Sequence, residues 1–314
     1  MIHRTIVGAL LAFLLAGCQS HQIGAPTWAI AIHGGAGFAK DWSPQARQAR
    51  IDGLTRALEA GTSRLARGES ALDTVEAVVR ILEDDPNFNA GRGAVRTAAG
   101  VHELDAAIMD GATLRCGAVA SVTTVKNPIS FARQVMDQTR HVLFVGPAAD
   151  ALALSFGLET VPNSAFTVSD AGAPEPCVLG TVGCVALDSH GNLAAATSTG
   201  GLEGKMPGRV GDVPIIGAGT YADGTVAVSC TGVGEEFIRR AVARTVAGLM
   251  EWDGRTLDQA ADAMIFGSLR PGDGGLIAVS AEGEIALVFS TPAMPRASAN
   301  SRGRFEVAID GPSR

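Results

Sequence analysis

The chain has 314 residues, 46% hydrophobic and 18% charged, with 39 glycines, 14 prolines and a formal net charge of -7. This composition excludes a largely disordered polymer, and the absence of a long basic run excludes a nucleic-acid footprint, which needs clustered Lys and Arg. What remains is a globular protein with many tight turns, folded as one large domain or two ordinary ones, whose partner is a small molecule.

The first segment reads as an export signal. His3 and Arg4 precede a twelve-residue apolar stretch, Ile6 to Gly17, too short to span a bilayer. Its end, Leu15-Ala16-Gly17-Cys18, resembles the lipobox of bacterial lipoproteins, in which the cysteine is lipidated; an ordinary cleaved signal with an incidental cysteine is the alternative. Residues 1–17 are expected to be removed, and the polar stretch 18–26 to tether an exported, periplasmic domain (27–314) to a membrane.

"WAIAIHGGAG" begins as an apolar strand and ends in a glycine turn. Ser43 and Pro44 supply an N-cap and a first-turn proline for a helix with Ile51, Leu54 and Leu58 on one face. Ser70 opens a second helix, in which Leu72, Val75, Val79 and Leu82 share a face before Pro86 ends it. The turn-rich "FNAGRGAV" leads to two strands, "VHELDAAIMDG" and "LRCGAVASV". Asn127 and Pro128 open a helix, followed by the strand "HVLFVG" and a short helix over "AADALALSFG".

From Asn163 to Leu179 the pattern lapses into Ser, Ala, Pro and Gly and reads as an exposed linker. Beyond it, "VGCVALD", an "SHGN" turn and "LAAATST" form one hairpin, and "GGLIAVSA" with "IALVFST" another. Between them "GEEFIRRAVARTVAGLMEW" reads as one helix with Phe237, Ile238, Ala241, Val242, Thr245 and Leu249 on its apolar face. Paired helices and blocks of strands, without regular βαβ alternation, predict α+β layers.

Four cysteines follow the leader, Cys116, Cys177, Cys184 and Cys230, with no CxxC or Cys/His ligand spacing, so a zinc site is not supported. Cys116, Cys184 and Cys230 lie in apolar strand contexts that suit buried thiols, and Cys177 lies in the linker. "GAGTYA" fits the degenerate dinucleotide fingerprint but runs into a strand, which makes it a turn. "HGGAG" is similar to the oxyanion glycines of lipases, yet the chain has no G-x-S-x-G elbow, and a glycine turn after a buried strand is the plainer reading.

In "GTVGCVALDSHGNLAAATSTGG" a threonine stands between glycines, and three hydroxyl residues follow on the next strand. A hydroxyl needs an adjacent base, and the one histidine of this hairpin, His190, sits in its turn. Breaking the bond before Thr181 would free an α-amino group, with a reference pKa of about 7.7–8.0, to act as that base. Gly180 has no side chain to obstruct a strained carbonyl, and Thr199 returns beside Thr181 to hydrogen-bond with it. The alternative is that threonines and glycines here merely suit strands and turns.

Six segments in order, "HGGAG", "FNAGRGAV", "HELDAAIMDG", the stretch just quoted, "KMPGRVGDVPIIGAGTYA" and "VSCTGVGEEFIRR", resemble the isoaspartyl peptidase/L-asparaginase family of N-terminal-nucleophile (Ntn) hydrolases. The resemblance covers about Thr27 to Asp310. It implies a four-layer αββα sandwich, self-cleaved between Gly180 and Thr181 into α (18–180) and β (181–314) subunits, and an (αβ)2 heterotetramer. It also implies hydrolysis of the side-chain amide of asparagine or of β-aspartyl dipeptides.

By the same resemblance Thr181 is the nucleophile, assisted by Thr199, and Asn89 faces it. Arg209 would hold the substrate α-carboxylate and Asp212 the α-ammonium, with the Gly234 carbonyl nearby; outside this setting the two would read as a surface ion pair. Thr231 and Gly232 would donate to the oxyanion. No organic cofactor is implied, but a structural sodium ion is, on main-chain carbonyls of Leu82, Glu83, Asp85, Phe88, Ala90 and Arg92. The linker is shorter than is common in the family and lacks its charged stretch. Rival readings are a glycosylasparaginase-like amidase and an uncleaved amino-acid-binding lipoprotein without turnover.

Overall fold

The computed structural model describes residues 27–37, 42–168 and 180–311. The leader, Cys18, the tether, Cys177 and most of the linker lie outside the described residues. The N-terminal part contributes β1 (Ala29–His33), α1 (Pro44–Ala66), α2 (Ala71–Asp84), β2 (Leu104–Asp110), β3 (Cys116–Val122), α3 (Pro128–Gln138), β4 (Leu143–Val145) and α4 (Gly146–Ser155). After residue 180 come β5 (Val182–Leu187), β6 (Leu193–Thr199), β7 (Thr220–Ala222), β8 (Val226–Gly232), α5 (Gly234–Arg240), α6 (Val242–Asp253), α7 (Leu257–Asp262), β9 (Gly274–Ser280), β10 (Ile285–Phe289), β11 (Arg296–Asn300) and β12 (Phe305–Ala308).

These elements form an eight-stranded sheet in the order β12-β11-β1-β5-β6-β2-β3-β4 and a four-stranded sheet in the order β10-β9-β8-β7. Period-two alternation sorts each strand between two cores. In β1, Ile30 and Ile32 join a cluster with Leu54, Leu58, Val75, Val79 and Leu82 of α1 and α2, beside Ile129 and Phe131 of α3. Ala29 and Ala31 face the other way, against Ile277, Val279 and Phe289 of the small sheet. On the far side of that sheet, Val226, Val228 and Leu276 pack against Phe237, Val242, Val246 and Leu257. The result is the expected αββα sandwich, with three apolar layers between four structural ones.

Two expectations need correction. The helix read over Gly234–Trp252 is two helices, because Ala241 adopts a left-handed conformation (φ 46°, ψ 51°) between α5 and α6. That break turns the buried face of α6 to Val242, Ala243, Val246 and Ala247 and leaves Ala241 exposed. The linker also starts later than Asn163: Asn163–Phe166 form a 3₁₀ turn, and Phe166 is buried edge-on to His102, with ring centroids 6.0 Å apart. Asn127 and Pro128 open α3 as expected, with Asn127 at the N-cap position; its side chain donates to Asp84 Oδ1 at 3.1 Å.

The "GAGTYA" segment is a turn leading into the short strand β7, and no helix follows it. Cys184 and Cys230 are buried free thiols and Cys116 a half-buried one, and burial raises all three thiol pKa values.

Candidate active site

The β5–β6 register builds the site. Val182 pairs with Ser198, so one step further Thr181 lies opposite Thr199, on the same face. That face looks toward the small sheet, whereas Ser198 points outward and donates to Glu83 Oε1 of α2 at 2.6 Å. Glu83 also accepts from the Ile129 amide at 3.0 Å, and burial pushes its carboxyl up to about 8.

The Gly180 carbonyl is the point of convergence. Its oxygen lies 2.8 Å from Thr181 Oγ1, 3.0 Å from Thr199 Oγ1 and 2.8 Å from Asn89 Nδ2. Thr181 Oγ1 is also 3.1 Å from Thr199 Oγ1, which accepts from the Gly201 amide at 2.9 Å. A hydroxyl carries one proton, so Thr199 passes its own toward Gly180 while accepting one from Thr181. Asn89 has a single workable orientation: its two amide protons go to the Gly180 and Gly201 carbonyls, and its oxygen accepts from Val95 N at 2.9 Å. A Cβ at residue 180 would lie 2.5 Å from Asn89 Cβ, so only glycine fits there.

Behind the threonine lies a buried polar chain to which the hairpin pattern gave no clue. His33 Nδ1 is 3.1 Å from the Thr181 carbonyl oxygen, and Nε2 is 2.9 Å from Ser229 Oγ. A carbonyl only accepts, so Nδ1 carries the proton and Nε2 accepts from Ser229. Thr197 Oγ1 continues the chain at 2.8 Å from Ser229, and Thr220 Oγ1 at 2.7 Å from Thr197. Burial pushes His33 down to about 3, which keeps it neutral, a fixed donor and not an acid or base. The one sequence signal for it, not read as such, is a histidine that ends the apolar run "AIAIH".

Glycines of "HGGAG" make turn contacts, in line with the plainer reading: Gly34 N donates to Pro295 O at 2.8 Å and Gly37 N to Ala293 O at 3.0 Å. Ala36 N donates to Thr231 Oγ1 at 3.1 Å and so fixes that side chain at the end of β8. Gly232 follows with φ 150°, a left-handed value at which a Cβ would overlap the Asp273 carbonyl.

A narrow cleft is lined by Gly180, Thr181, Thr199, Gly201, Leu202, Arg209, Gly211, Asp212 and Gly232. It brings Arg209 and Asp212 to the hydroxyl pair. Gly234 packs against both, and a Cβ added to it would lie 2.9 Å from Arg209 Nη2 and 2.8 Å from Asp212 Oδ1. Arg209 and Asp212 do not pair with each other. Arg209 is held by Glu235, Nε to Oε1 and Nη2 to Oε2, both at 2.9 Å. Asp212 Oδ2 is buried with no donor from the described residues, and burial, with the Glu235 and Asp105 charges adding, raises its carboxyl to about 7. Asp105, opposite Thr199 in the sheet, is likewise buried and raised, an effect that Lys205 and Arg209 oppose.

The cleft thus sets a bonded pair of hydroxyls beside a cation and an anion that are not paired with each other, an arrangement with room in its chemistry for a small zwitterion. Comparison with known proteins agrees. The Asparaginase_2 family model, described as asparaginase, matches residues 26–174 and 173–309. The chain belongs to the Asparaginase_2 family. An isoaspartyl peptidase of Escherichia coli is 47% identical over 293 residues, covering 85% of this chain and 91% of the relative. A probable isoaspartyl peptidase/L-asparaginase 2 of Arabidopsis thaliana is 42% identical, covering 90% and 98%. An isoaspartyl peptidase/L-asparaginase of Bos taurus is 42% identical, covering 90% and 96%.

In this Asparaginase_2 chain the second glycine of "GTVG" has a physical cause. A Cβ on Gly183 would overlap both Ser229 Oγ and His33 Nε2, the bond that fixes the histidine. Gly183→Ala is therefore expected to destabilise the protein by about 2 kcal/mol or more, through overpacking and a stranded buried donor. A denaturant melt beside the parent protein measures it; an unchanged midpoint refutes the argument.

Proposed function

We propose that this chain is a self-activating threonine hydrolase that cleaves the side-chain amide of L-asparagine and of β-aspartyl (isoaspartyl) dipeptides, releasing L-aspartate. The observation that carries this reading is the convergence of Thr181, Thr199 and Asn89 on the Gly180 carbonyl, beside Arg209 and Asp212.

In the first stage Thr181 Oγ1 attacks the Gly180 carbonyl carbon. Its proton moves toward Thr199 Oγ1, and the oxygen that gains charge is met by Asn89 Nδ2 and the Thr199 hydroxyl. Collapse breaks the C–N bond, moves the acyl group to oxygen and delivers a proton to the departing nitrogen. Water then hydrolyses the ester, leaving Gly180 as a carboxylate and Thr181 with a free α-amine.

In the second stage that amine takes the proton of its own hydroxyl. Thr181 attacks the side-chain amide carbon of a substrate whose α-carboxylate lies on Arg209 and whose α-ammonium lies on Asp212 and the Gly234 carbonyl. Thr231 and Gly232 receive the oxyanion, the leaving amine takes the proton held by Thr181, and water attack on the acyl-enzyme releases aspartate. Intact-mass analysis tests both stages. The parent should give two fragments, divided between Gly180 and Thr181, whereas Thr181→Ala should stay one chain and lose activity by at least about 10⁴-fold. Full activity in the uncut protein would end this reading.

Acidity should act through two groups. Asp212 must be ionised to meet an ammonium, and with its carboxyl raised to about 7 the competent fraction falls as pH drops through 7. The Thr181 amine must be neutral, with a reference pKa of about 7.7–8.0. Log kcat/KM should therefore fall below neutrality with a slope approaching two, and a slope staying at or below one removes one of these groups from the scheme.

A structural sodium ion in the loop after α2 is part of the same reading, carried over from the family resemblance. Leu82, Glu83, Asp85, Phe88 and Ala90 are buried, and the chain folds so tightly that a Cβ on Gly93 would overlap Phe88 O and lie 2.7 Å from Pro86 O. By the family resemblance the carbonyls of Leu82, Glu83, Asp85, Phe88, Ala90 and Arg92 would hold it. Its part would be to brace the loop that carries Asn89. Exchanging sodium for choline at constant ionic strength should lower Tm by a few degrees; an identical Tm would argue against the ion. The proposal extends, on sequence alone, to export, lipidation at Cys18 and an (αβ)2 assembly.

A further inference from the structure

A clamp made of an arginine and an aspartate three residues apart has an inherent failure: its halves attract each other. Arg209 Nη2 and Asp212 Oδ1 approach the same point above Gly234, the first within 2.9 Å and the second within 2.8 Å of a Cβ placed there. Both side chains are largely withdrawn from water, where opposite charges attract most strongly. Yet no ion pair joins them. The guanidinium is taken instead by Glu235, the second residue of α5, in a parallel two-bond grip with both distances 2.9 Å.

The edge of the guanidinium that Glu235 uses is informative. Guanidinium offers carboxylates a side edge, Nε with one Nη, and an end edge, the two Nη atoms. Glu235 occupies the side edge through Nε and Nη2. The end edge, Nη1 with the second proton of Nη2, stays available to a second carboxylate. Gly211 and Gly234 lie against Nη1 and Nη2, where a Cβ would sit 2.8 Å and 2.9 Å away, so the loop and the helix leave that edge uncovered by side chains of their own. Glu235 is more exposed than its partner, 41% against 16% for the side chains, which places the glutamate at the rim and the arginine inside.

We infer that Glu235 is a positioning residue that holds this clamp open: it grips the side edge of Arg209, keeps it from closing on Asp212 and aims its end edge at the substrate α-carboxylate. This rests on the function proposed above and assigns a role to a residue outside the reacting groups. Holding Arg209 in advance also removes part of the rotamer entropy that binding would otherwise cost. A rim ion pair with no such role would be nearly silent on removal.

Charge gives a readout that simple packing would not move. The groups facing Asp212 are Arg209 on its own loop, Glu235 on α5, Asp105 on β2 and the Cys230 thiol on β8. Removing the Glu235 charge leaves Arg209 less neutralised beside Asp212, and both changes favour the ionised aspartate. The acid limb of kcat/KM should then move to lower pH.

The test compares parent, Glu235→Ala and Glu235→Gln with L-asparagine as substrate, after self-cleavage and thermal melting have been checked for each. Glu235→Ala should raise KM by about 10-fold with kcat within about 3-fold of the parent. Glu235→Gln, whose amide oxygen still accepts from Nε, should fall between the two in KM and shift the acid limb down by about half a pH unit or more. An unchanged KM in both variants, a lowered KM, or a loss confined to kcat with the acid limb fixed would overturn the inference. A parent that hydrolyses neither asparagine nor β-aspartyl dipeptides would refute the proposed function itself, irrespective of Glu235.

Discussion

Because side chains alternate along a strand, sliding β6 by one residue against β5 would turn Thr199 toward α2 and bring Ser198 into the place beside Thr181. The observed register prevents this from both faces. Outward, Ser198 is tied to the buried Glu83. Inward, Thr197 enters the chain to Ser229 and His33, which ends on the Thr181 carbonyl. A slip would break both connections and strand several buried polar groups, each at about 1–3 kcal/mol. The position of Thr181 is thus set largely by bonds that its neighbours on β6 make, and by the one that His33 makes to its carbonyl.

Polar atoms between two packed sheets are costly unless each is satisfied, and here the satisfaction is directional. The Thr181 carbonyl needs a donor, which fixes the protonated nitrogen of His33, which in turn fixes the direction of the Ser229 hydroxyl. Ala29 and Ala31 of β1 and Ala195 of β6, on the faces that meet the small sheet, keep the sheets close enough for such short links. Gly180 and Gly183 answer two different crowding problems, the first against Asn89 and the second against the His33–Ser229 bond. The Gly180-Thr181-Val182-Gly183 pattern is therefore steric before it is chemical.

What was legible in the sequence was local or periodic. Hairpin signals placed Thr199 beside Thr181, and the strand and helix blocks gave the layers. The motif spacing brought Arg209 near Asp212 on one loop. What was hidden depended on partners far along the chain. His33 meets Ser229 across 196 residues, and Glu235 reaches Arg209 from the start of a helix that read only as amphipathic. Ala241 shows the limit of periodicity: a good helix former breaks the helix there, because packing Phe237 and Val242 into one core demands a turn between them. Phe166 was lost for the reverse reason, since one aromatic in a Ser/Ala/Pro stretch carries no pattern.

Chain ends normally lie at the surface and fray, which is a poor setting for a reactive group that must be held to a fraction of an ångström. Thr181 is buried at the head of β5, between β1 from the N-terminal part and β6 from the C-terminal part. The eight-stranded sheet interleaves the two parts, with β12, β11, β5 and β6 from after residue 180 and β1, β2, β3 and β4 from before it. A terminus cannot easily be threaded into such a sheet, but a continuous strand can be folded there and cut afterwards. A cut before Thr181 would remove no strand from its neighbours, so the two parts would stay joined by the same ladders and cores. On the function proposed above, the topology would supply what the chemistry requires: a free α-amine created inside a finished core, with its hydroxyl, its carbonyl anchor and the clamp for its substrate already in place.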